Sequence, residues 1–318
     1  MDDAPVITSQ GRCYPVETRW LDRPLRKEDR LEQATARLIT QAISETEGGV
    51  LVFLPGEGEI RRTQSLLNLP ANCHIRPLFG AMPFRDQQAA IRPMNTGRKG
   101  VLATSIAETS LTIQDVRVVI DAGRSRRARF DAGSGMSRLV TERVTRAEAT
   151  QRQGRAGRVT EGICYRLWTK GEEGGLLPFP PAEIQAADLT GLALELALWG
   201  AKPEELAFLT PPNTGTFTEA QSVLQILGAL DTANRITTHG RTLAATPLHP
   251  RLAHMLAIAG NQAAPLAALL AARDPLGRGA PIDLSLRLEA LKDLKAFNDR
   301  YSYPVNRAAL HTIKDEAK

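Results

Sequence analysis

Val50-Leu-Val-Phe-Leu-Pro-Gly56 is an apolar run closed by a Pro-Gly turn. A run without polar alternation is buried on both faces, as an inner strand of a parallel sheet is. The flanking sequence keeps that rhythm. Lys27 to Ile43 places Leu31, Ala34, Leu38 and Ala42 at helical spacing. Glu59 to Leu67 predicts a second helix and His74 to Phe79 a second strand. Pro83, tolerated in a first helical turn, opens a helix to about Ile91. Gly100 to Thr104 and Val116 to Asp121 read as two further strands. Strand alternating with helix predicts an α/β domain, its parallel sheet covered by helices on both faces.

Past Asp121 the pattern changes. Ser125 to Phe130 and Ser137 to Val140 flank the turn-rich Asp131-Ala-Gly-Ser-Gly135, which predicts a hairpin. Arg146 to Gln153 reads as a helix and Gly162 to Trp168 as a last strand. Gly171 to Gly175 and Pro178 to Pro181 mark a boundary. The second half is rich in Ala and Leu and poor in β-branched residues. Its stripes predict helices at 189–198, 219–230, 252–259, 266–272 and 284–297, with a short β element near Arg235 to Thr238. Three domains are expected: 1–170, 171–247 (winged-helix-like) and 248–318 (part of a helical bundle).

Forty Lys and Arg against 35 Asp and Glu give a net charge of only +5. The distribution says more: residues 124–158 hold ten arginines, no lysine and three acids, Asp131, Glu142 and Glu148. A stretch so basic and so poor in lysine favours phosphate contacts. It ends in Gln151-Arg-Gln-Gly-Arg-Ala-Gly-Arg158. Guanidinium groups are rarely buried without an anion. On a helix Arg155 and Arg158, three apart, point the same way. Gly154 and Gly157 remove side chains so that another surface can approach. The octapeptide is built to meet an anion across an interface, with a nucleotide's terminal phosphate the leading candidate. Cys13, Cys73 and Cys164 form no paired motif, suggest neither disulfide framework nor metal site, and fit a reducing, cytoplasmic compartment. No apolar run approaches the roughly 20 residues that span a bilayer, and His249 reads as a surface or capping residue.

Ala103-Thr-Ser-Ile-Ala-Glu-Thr-Ser-Leu-Thr-Ile113 carries five hydroxyls beyond a predicted strand. Two readings stand for this segment alone. The hydroxyls cap the next helix, or they bond phosphates at the carboxyl edge of the sheet, where open α/β sheets place ligands.

The 50–56 run, the 103–113 segment and Gln151-Arg-x-Gly-Arg-x-Gly-Arg158 resemble, in order and spacing, motifs IV, V and VI of DEAH-box, RNA-helicase-A-like helicases of superfamily 2. Thr238 to Ala253 and Arg273-Asp-Pro-Leu276 resemble the helicase-associated region of the bacterial HrpB type. The resemblance implies a RecA-like parallel-sheet domain followed by a mostly α-helical winged-helix and ratchet-like bundle region. It implies that Arg155 and Arg158 are arginine fingers and that Gln151 lies near the γ-phosphate and attacking water. Gly154, Arg152, Ser110 and Gln114 fall among the nucleotide-facing positions, Arg152 with interdomain contacts as its alternative role and Gln114 where relatives are often acidic. Thr104, Ser105 and Thr109 fall where relatives touch the RNA backbone, Ser105 standing where many carry Asn. Arg126 and Arg127 belong to the hairpin near the nucleic-acid path.

A helicase motor also needs a Gly-x-x-x-x-Gly-Lys-Ser/Thr loop and an acidic Mg²⁺ site. These 318 residues contain no Gly-Lys dipeptide and no apolar strand running into Asp-Glu-x-His. The expectation is therefore a fragment that ends inside the bundle. ATP and Mg²⁺ would be held by a first RecA-like domain of the same protein, single-stranded RNA would be the partner, and no membrane would be involved. No cofactor is expected to bind tightly to this chain, and alone it is expected to be inactive. A non-catalytic nucleic-acid-binding or regulatory module is the alternative, and a DNA translocase a third reading.

Overall fold

The computed structural model describes residues 5, 7–8, 14–108, 113–131, 136–277 and 279–318. The chain divides into two compact units, Met1–Pro181 and Ala182–Lys318.

Among the described residues, the first unit has eight strands. β1 (Val16–Trp20), β2 (Gly49–Phe53), β3 (Cys73–Leu78), β4 (Arg98–Ala103), β5 (Val116–Asp121) and β8 (Gly162–Arg166) form one sheet in the order β1-β8-β5-β2-β4-β3. All its pairings are parallel. β6 (Arg124–Asp131) and β7 (Met136–Arg143) form the antiparallel hairpin. The helices are α1 (Leu31–Glu45), α2 (Glu57–Leu66), α3 (Phe84–Ile91), α4 (Arg146–Gln153) and the short α5 (Lys170–Gly174).

Strand alternation sorts β2 onto two cores. Val50 and Val52 pack with Leu38, Ile39 and Ala42 of α1 and Ile60 of α2. Leu51 and Phe53 pack with Ala90 of α3 and with Ala156, beyond α4. Both faces are covered, so an uninterrupted apolar strand costs nothing in exposure.

Two neighbouring residues of β4 then close two helices. The Arg98 guanidinium donates to the carbonyls of Ile43 and Gly48, each at 2.7 Å, at the carboxyl end of α1. Lys99 donates to the carbonyls of Ile91 (3.2 Å) and Arg92 (2.9 Å) at the end of α3. Orphan carbonyls there would otherwise need water or a C-cap.

The unit extends beyond residue 170, where the composition had suggested a boundary. Leu176 packs with Val144, Ala149 and Trp168. The Leu177 and Pro178 carbonyls accept from Arg146 N–H (2.8 Å) and Ala147 N–H (3.0 Å), satisfying the first turn of α4.

The second unit is helical and has two cores. α6 (Thr190–Trp199), α7 (Thr214–Ile226) and α8 (Thr238–Ala244) surround Leu194, Leu196, Phe217, Leu224 and Leu243, beside an antiparallel bridge between Leu230 and Ile236. α9 (Pro250–Ala259) adds Ala253 to that core. α10 (Ala264–Ala271), α11 (Leu284–Lys292), α12 (Leu294–Arg300) and α13 (Arg307–Glu316) enclose the other, around Leu269, Leu291, Phe297, Leu310 and Ile313. The helix expected over 284–297 is broken at Asp293, whose carboxylate caps α12 by accepting from Lys295 and Ala296 N–H. His249 is the N-cap of α9, accepting from Arg251 N–H at 3.3 Å, and its Nε2 lies 3.0 Å from the Asp188 carboxylate.

Candidate functional site

Register brings Phe53, Leu78, Ala103, Asp121 and Arg166 into one row at the carboxyl ends of their strands. Thr104 leaves that row, half-buried, and donates its N–H to the Leu78 carbonyl at 3.1 Å. It precedes a 3₁₀ turn, Ser105–Ala107, but its hydroxyl forms no capping bond there. Ser105 is exposed. The hairpin rises from the same edge. Arg126 lies over Gly56, three residues past β2, and its guanidinium reaches Glu59 at 3.1 Å. Gln114 is exposed at the opposite edge, where the neighbouring Asp115 carbonyl accepts from Gly49 N–H at the start of β2. The expected RNA-facing residues Thr104, Ser105, Arg126 and Arg127 thus share the carboxyl edge, and Gln114 is apart from them. Thr109 and Ser110 lie outside the described residues.

α4 and the turns after it carry the octapeptide between the edges. Its start is fixed by a capping box: Thr145 Oγ1 accepts from Glu148 N–H, and Glu148 accepts from Thr145 N–H at 2.7 Å. Burial opposes the charge on Glu148. The Thr145 backbone and hydroxyl, with Arg127 and Arg152, nevertheless hold its carboxyl below the usual range. The helix ends at Gln153 and the chain continues in turns. Gly157 then accepts from Tyr14 N–H (2.9 Å), and Gly162 N–H donates to the Pro15 carbonyl (3.1 Å), both just ahead of β1.

Within the octapeptide the three arginines have different surroundings. Arg152 is 1% exposed. Its Nε donates to Glu108 (3.1 Å), Nη1 to Asp121 (2.8 Å) and to the Arg124 carbonyl (3.2 Å), and Nη2 to Ser125 Oγ (2.7 Å). The guanidinium carbon sits 5.1 Å from the centre of the Phe53 ring. Arg155 is 6% exposed and donates to the Glu108 backbone carbonyl. Burial and then the like charge of Arg158 pull its pKa down, with Glu108 opposing them. Arg158 and Gln151 are exposed.

Three of the expected positions meet residues of this chain. Arg152 was placed among nucleotide-facing positions, but its side chain is enclosed by protein carboxylates. Arg155 shares its surroundings with Arg152, both meeting Glu108, because the helix stops before it can align Arg155 with Arg158. Gly157 admits this chain's own β1 lead: a Cβ there would lie 2.5 Å from the Tyr14 carbonyl oxygen. Gly154, exposed, remains open to another surface.

The hairpin's charges are largely matched. Arg127 pairs with Glu142 (2.9 Å) and Glu148, and Arg129 with Glu142 (2.8 Å). Glu142 is drawn down to about 2, first by the hydrogen bond from Arg129. Sequence reading missed Glu108, Asp121 and Ser125 as anchors of the octapeptide. The available signal was an acid, Asp121, closing an otherwise apolar strand. It also missed Arg166, which lies between the Trp20 and Trp168 rings, pairs with Glu173 and donates to Gln153 at 2.8 Å. Among the described residues no group of three or more His, Cys, Asp or Glu is arranged to hold a metal ion, and no helix is long and apolar enough to cross a membrane.

A family model for the helicase conserved C-terminal domain matches residues 32–160, which contain the octapeptide. The ATP-dependent RNA helicase HrpB of Escherichia coli is 42% identical over 279 residues, covering 85% of this chain and 34% of that protein. Two solved structures of E. coli HrpB match with TM-scores of 0.81 and 0.83 at 38% and 37% identity, covering 98% and 99% of this chain. This chain fits a fragment of a DEAH-box helicase of the HrpB type. More distant members agree: the splicing-factor RNA helicase prp22 of Schizosaccharomyces pombe is 36% identical over 79% of this chain and 22% of its own length. The chain spans about a third of the length of HrpB. Its sheet unit is RecA-like, a six-stranded parallel sheet with flanking helices.

Proposed function

We propose that this chain is the second RecA-like domain and helical accessory region of an ATP-dependent RNA helicase. It acts as the half of a composite ATPase that lacks its own phosphate-binding loop. The domain limits are 1–181 for the RecA-like part, then a winged-helix-like part to about residue 247 and a ratchet-like bundle. A cytoplasmic location belongs to the same reading.

The observation that carries it is the outward presentation of Gln151 and Arg158 on a segment whose other two arginines, Arg152 and Arg155, are anchored inward. An exposed guanidinium fits a terminal phosphate, because it is always charged and its planar fork matches phosphate oxygens. The residues here fit the phosphates rather than the metal, so ATP and Mg²⁺ are held mainly by a first RecA-like domain. Bound there, ATP would supply the phosphoryl group and Mg²⁺ would neutralise charge on the phosphate oxygens. Arg158, with Arg155 behind it, stabilises the charge developing on that group, and Gln151 orients the attacking water. Gly154 and Gln114 face the nucleotide side, with Ser110. Thr104, Ser105 and Thr109, with Arg126 and Arg127 of the hairpin, hold the RNA backbone.

The test is ATP turnover. This chain alone should show none. Joined to the first RecA-like domain, RNA-stimulated turnover should appear and fall by roughly 10³-fold or more in Arg158→Ala. Turnover by the chain alone, or full turnover in Arg158→Ala, would refute the composite site.

A further inference from the structure

Arg152 is buried, charged and unused by the chemistry proposed above. Burial opposes its charge, but Asp121 and then Glu108 more than restore it. Cores do not need such a group. Replacing a buried ion pair by apolar side chains of similar volume is often neutral or stabilising. What distinguishes Arg152 is the set of segments it joins. Glu108 ends the turn beyond β4, Asp121 ends β5, and Arg124 and Ser125 begin β6. Its own element, α4, leads directly to Arg155 and Arg158. Glu108 is held twice, by its carboxylate to Arg152 and by its carbonyl to Arg155. A displacement of Arg155 therefore pulls on the residue that Arg152 grips.

We propose that Arg152 is a positioning residue that fixes the 105–108 turn and the root of the β6–β7 hairpin to the finger-bearing segment, so that the three move as one body. The inference rests on the reading above only in naming those segments RNA-facing and finger-bearing. Arginine suits the role because its planar fork bonds three directions at once. A lysine ammonium has comparable charge but cannot span Glu108, Asp121 and Ser125 together. Glu108 answers to the same group: burial pushes its carboxyl up, against the pull of Arg152.

Amide hydrogen exchange on this chain tests the inference, with single-stranded RNA binding measured in parallel. Arg152→Lys should speed exchange in both the 105–108 turn and the hairpin by about 10-fold or more. Exchange in α1, β2 and β4 should stay near that of the parent. Two milder variants separate the connections: Glu108→Gln should loosen the turn and spare the hairpin, and Ser125→Ala should do the reverse. Protection lost uniformly in all three variants would reduce Arg152 to a stability residue and overturn the proposal, as would protection unchanged in both segments. RNA affinity reports separately on the functional reading. Loosened segments with unchanged RNA affinity would leave the mechanical inference standing and remove the RNA-facing assignment.

Discussion

Replacing Gly157 by alanine should unsettle the first unit, while the same change three residues earlier should not. A Cβ at position 157 would lie 2.5 Å from the Tyr14 carbonyl oxygen and 2.8 Å from Val16 Cγ2. Favourable contacts begin near 3.5 Å, so the β1 lead must retreat by about 1 Å. Overpacking of this kind costs about 1–3 kcal/mol. Stretching the bond from Tyr14 N–H to the Gly157 carbonyl, 2.9 Å in the parent, adds about 0.5–1.5 kcal/mol. A domain of this size loses about 2–4 °C of Tm per kcal/mol, so the transition of the sheet unit should fall by roughly 3–18 °C. Gly154 has φ −57° and ψ −17°, which any residue adopts, and a Cβ there meets only the helix carbonyls of Gln151 and Thr150, at 3.4 and 3.5 Å. Gly154→Ala should be neutral or raise stability by about 0.4–1 kcal/mol through the unfolded chain. Differential scanning calorimetry of the parent and both variants decides it. Equal transitions for the two variants would refute the claim that the β1 lead presses on Gly157.

Two further outcomes are open to direct measurement. Burial opposes the charge on Asp188, but the hydrogen bonds from His249 and Thr190 bring its carboxyl down to about 2. Because this folded value lies below the unfolded one, the stabilisation is whole above about pH 4 and is lost as pH falls toward 2. Asp188→Asn should therefore cost the second unit about 2 kcal/mol at pH 7, with variant and parent Tm converging near pH 2. Burial pushes the Cys164 thiol up to about 12. Peptide mapping after alkylation at pH 8 should find Cys73 modified and Cys164 untouched until the protein is unfolded.

The parts of the fold that were legible are those where burial on two sides writes a continuous pattern. β2, β4 and β5 are apolar runs because helices cover both faces. β1 was missed because Val16-Glu-Thr-Arg-Trp20 is an edge strand, paired only with β8 and partly exposed. Its Arg19 bonds Tyr165 across that pairing at 2.9 Å, a tertiary reason for a charge that argues locally against a strand. α8 was missed for a different reason. Thr238-His-Gly-Arg-Thr-Leu-Ala244 has weak helix formers and a mid-helix glycine, but an added Cβ at Gly240 would lie 2.2 Å from the Ala229 carbonyl oxygen. Close packing, which no window of sequence shows, outweighs the propensity of a single residue.

The octapeptide shows the same limit at finer grain. Its composition argues that it needs acceptors, since three arginines in eight residues call for anions or carbonyls, and Arg152 and Arg155 have them. Composition does not say which anions are already supplied by the protein. Glu108 and Asp121, distant in sequence, take Arg152, and the Glu108 carbonyl takes Arg155. The motif is therefore two surfaces on one short segment: an inward one, Arg152, Arg155, Ala156 and Gly157, that builds the domain, and an outward one, Gln151, Gly154 and Arg158. Variants at the first set should move stability and local exchange before they move chemistry. Variants at the second should leave the fold intact and, in the joined helicase, change turnover. An Arg158→Ala variant that unfolded the sheet unit, or an Arg152→Lys variant that altered turnover with unchanged exchange, would show that this division is misdrawn.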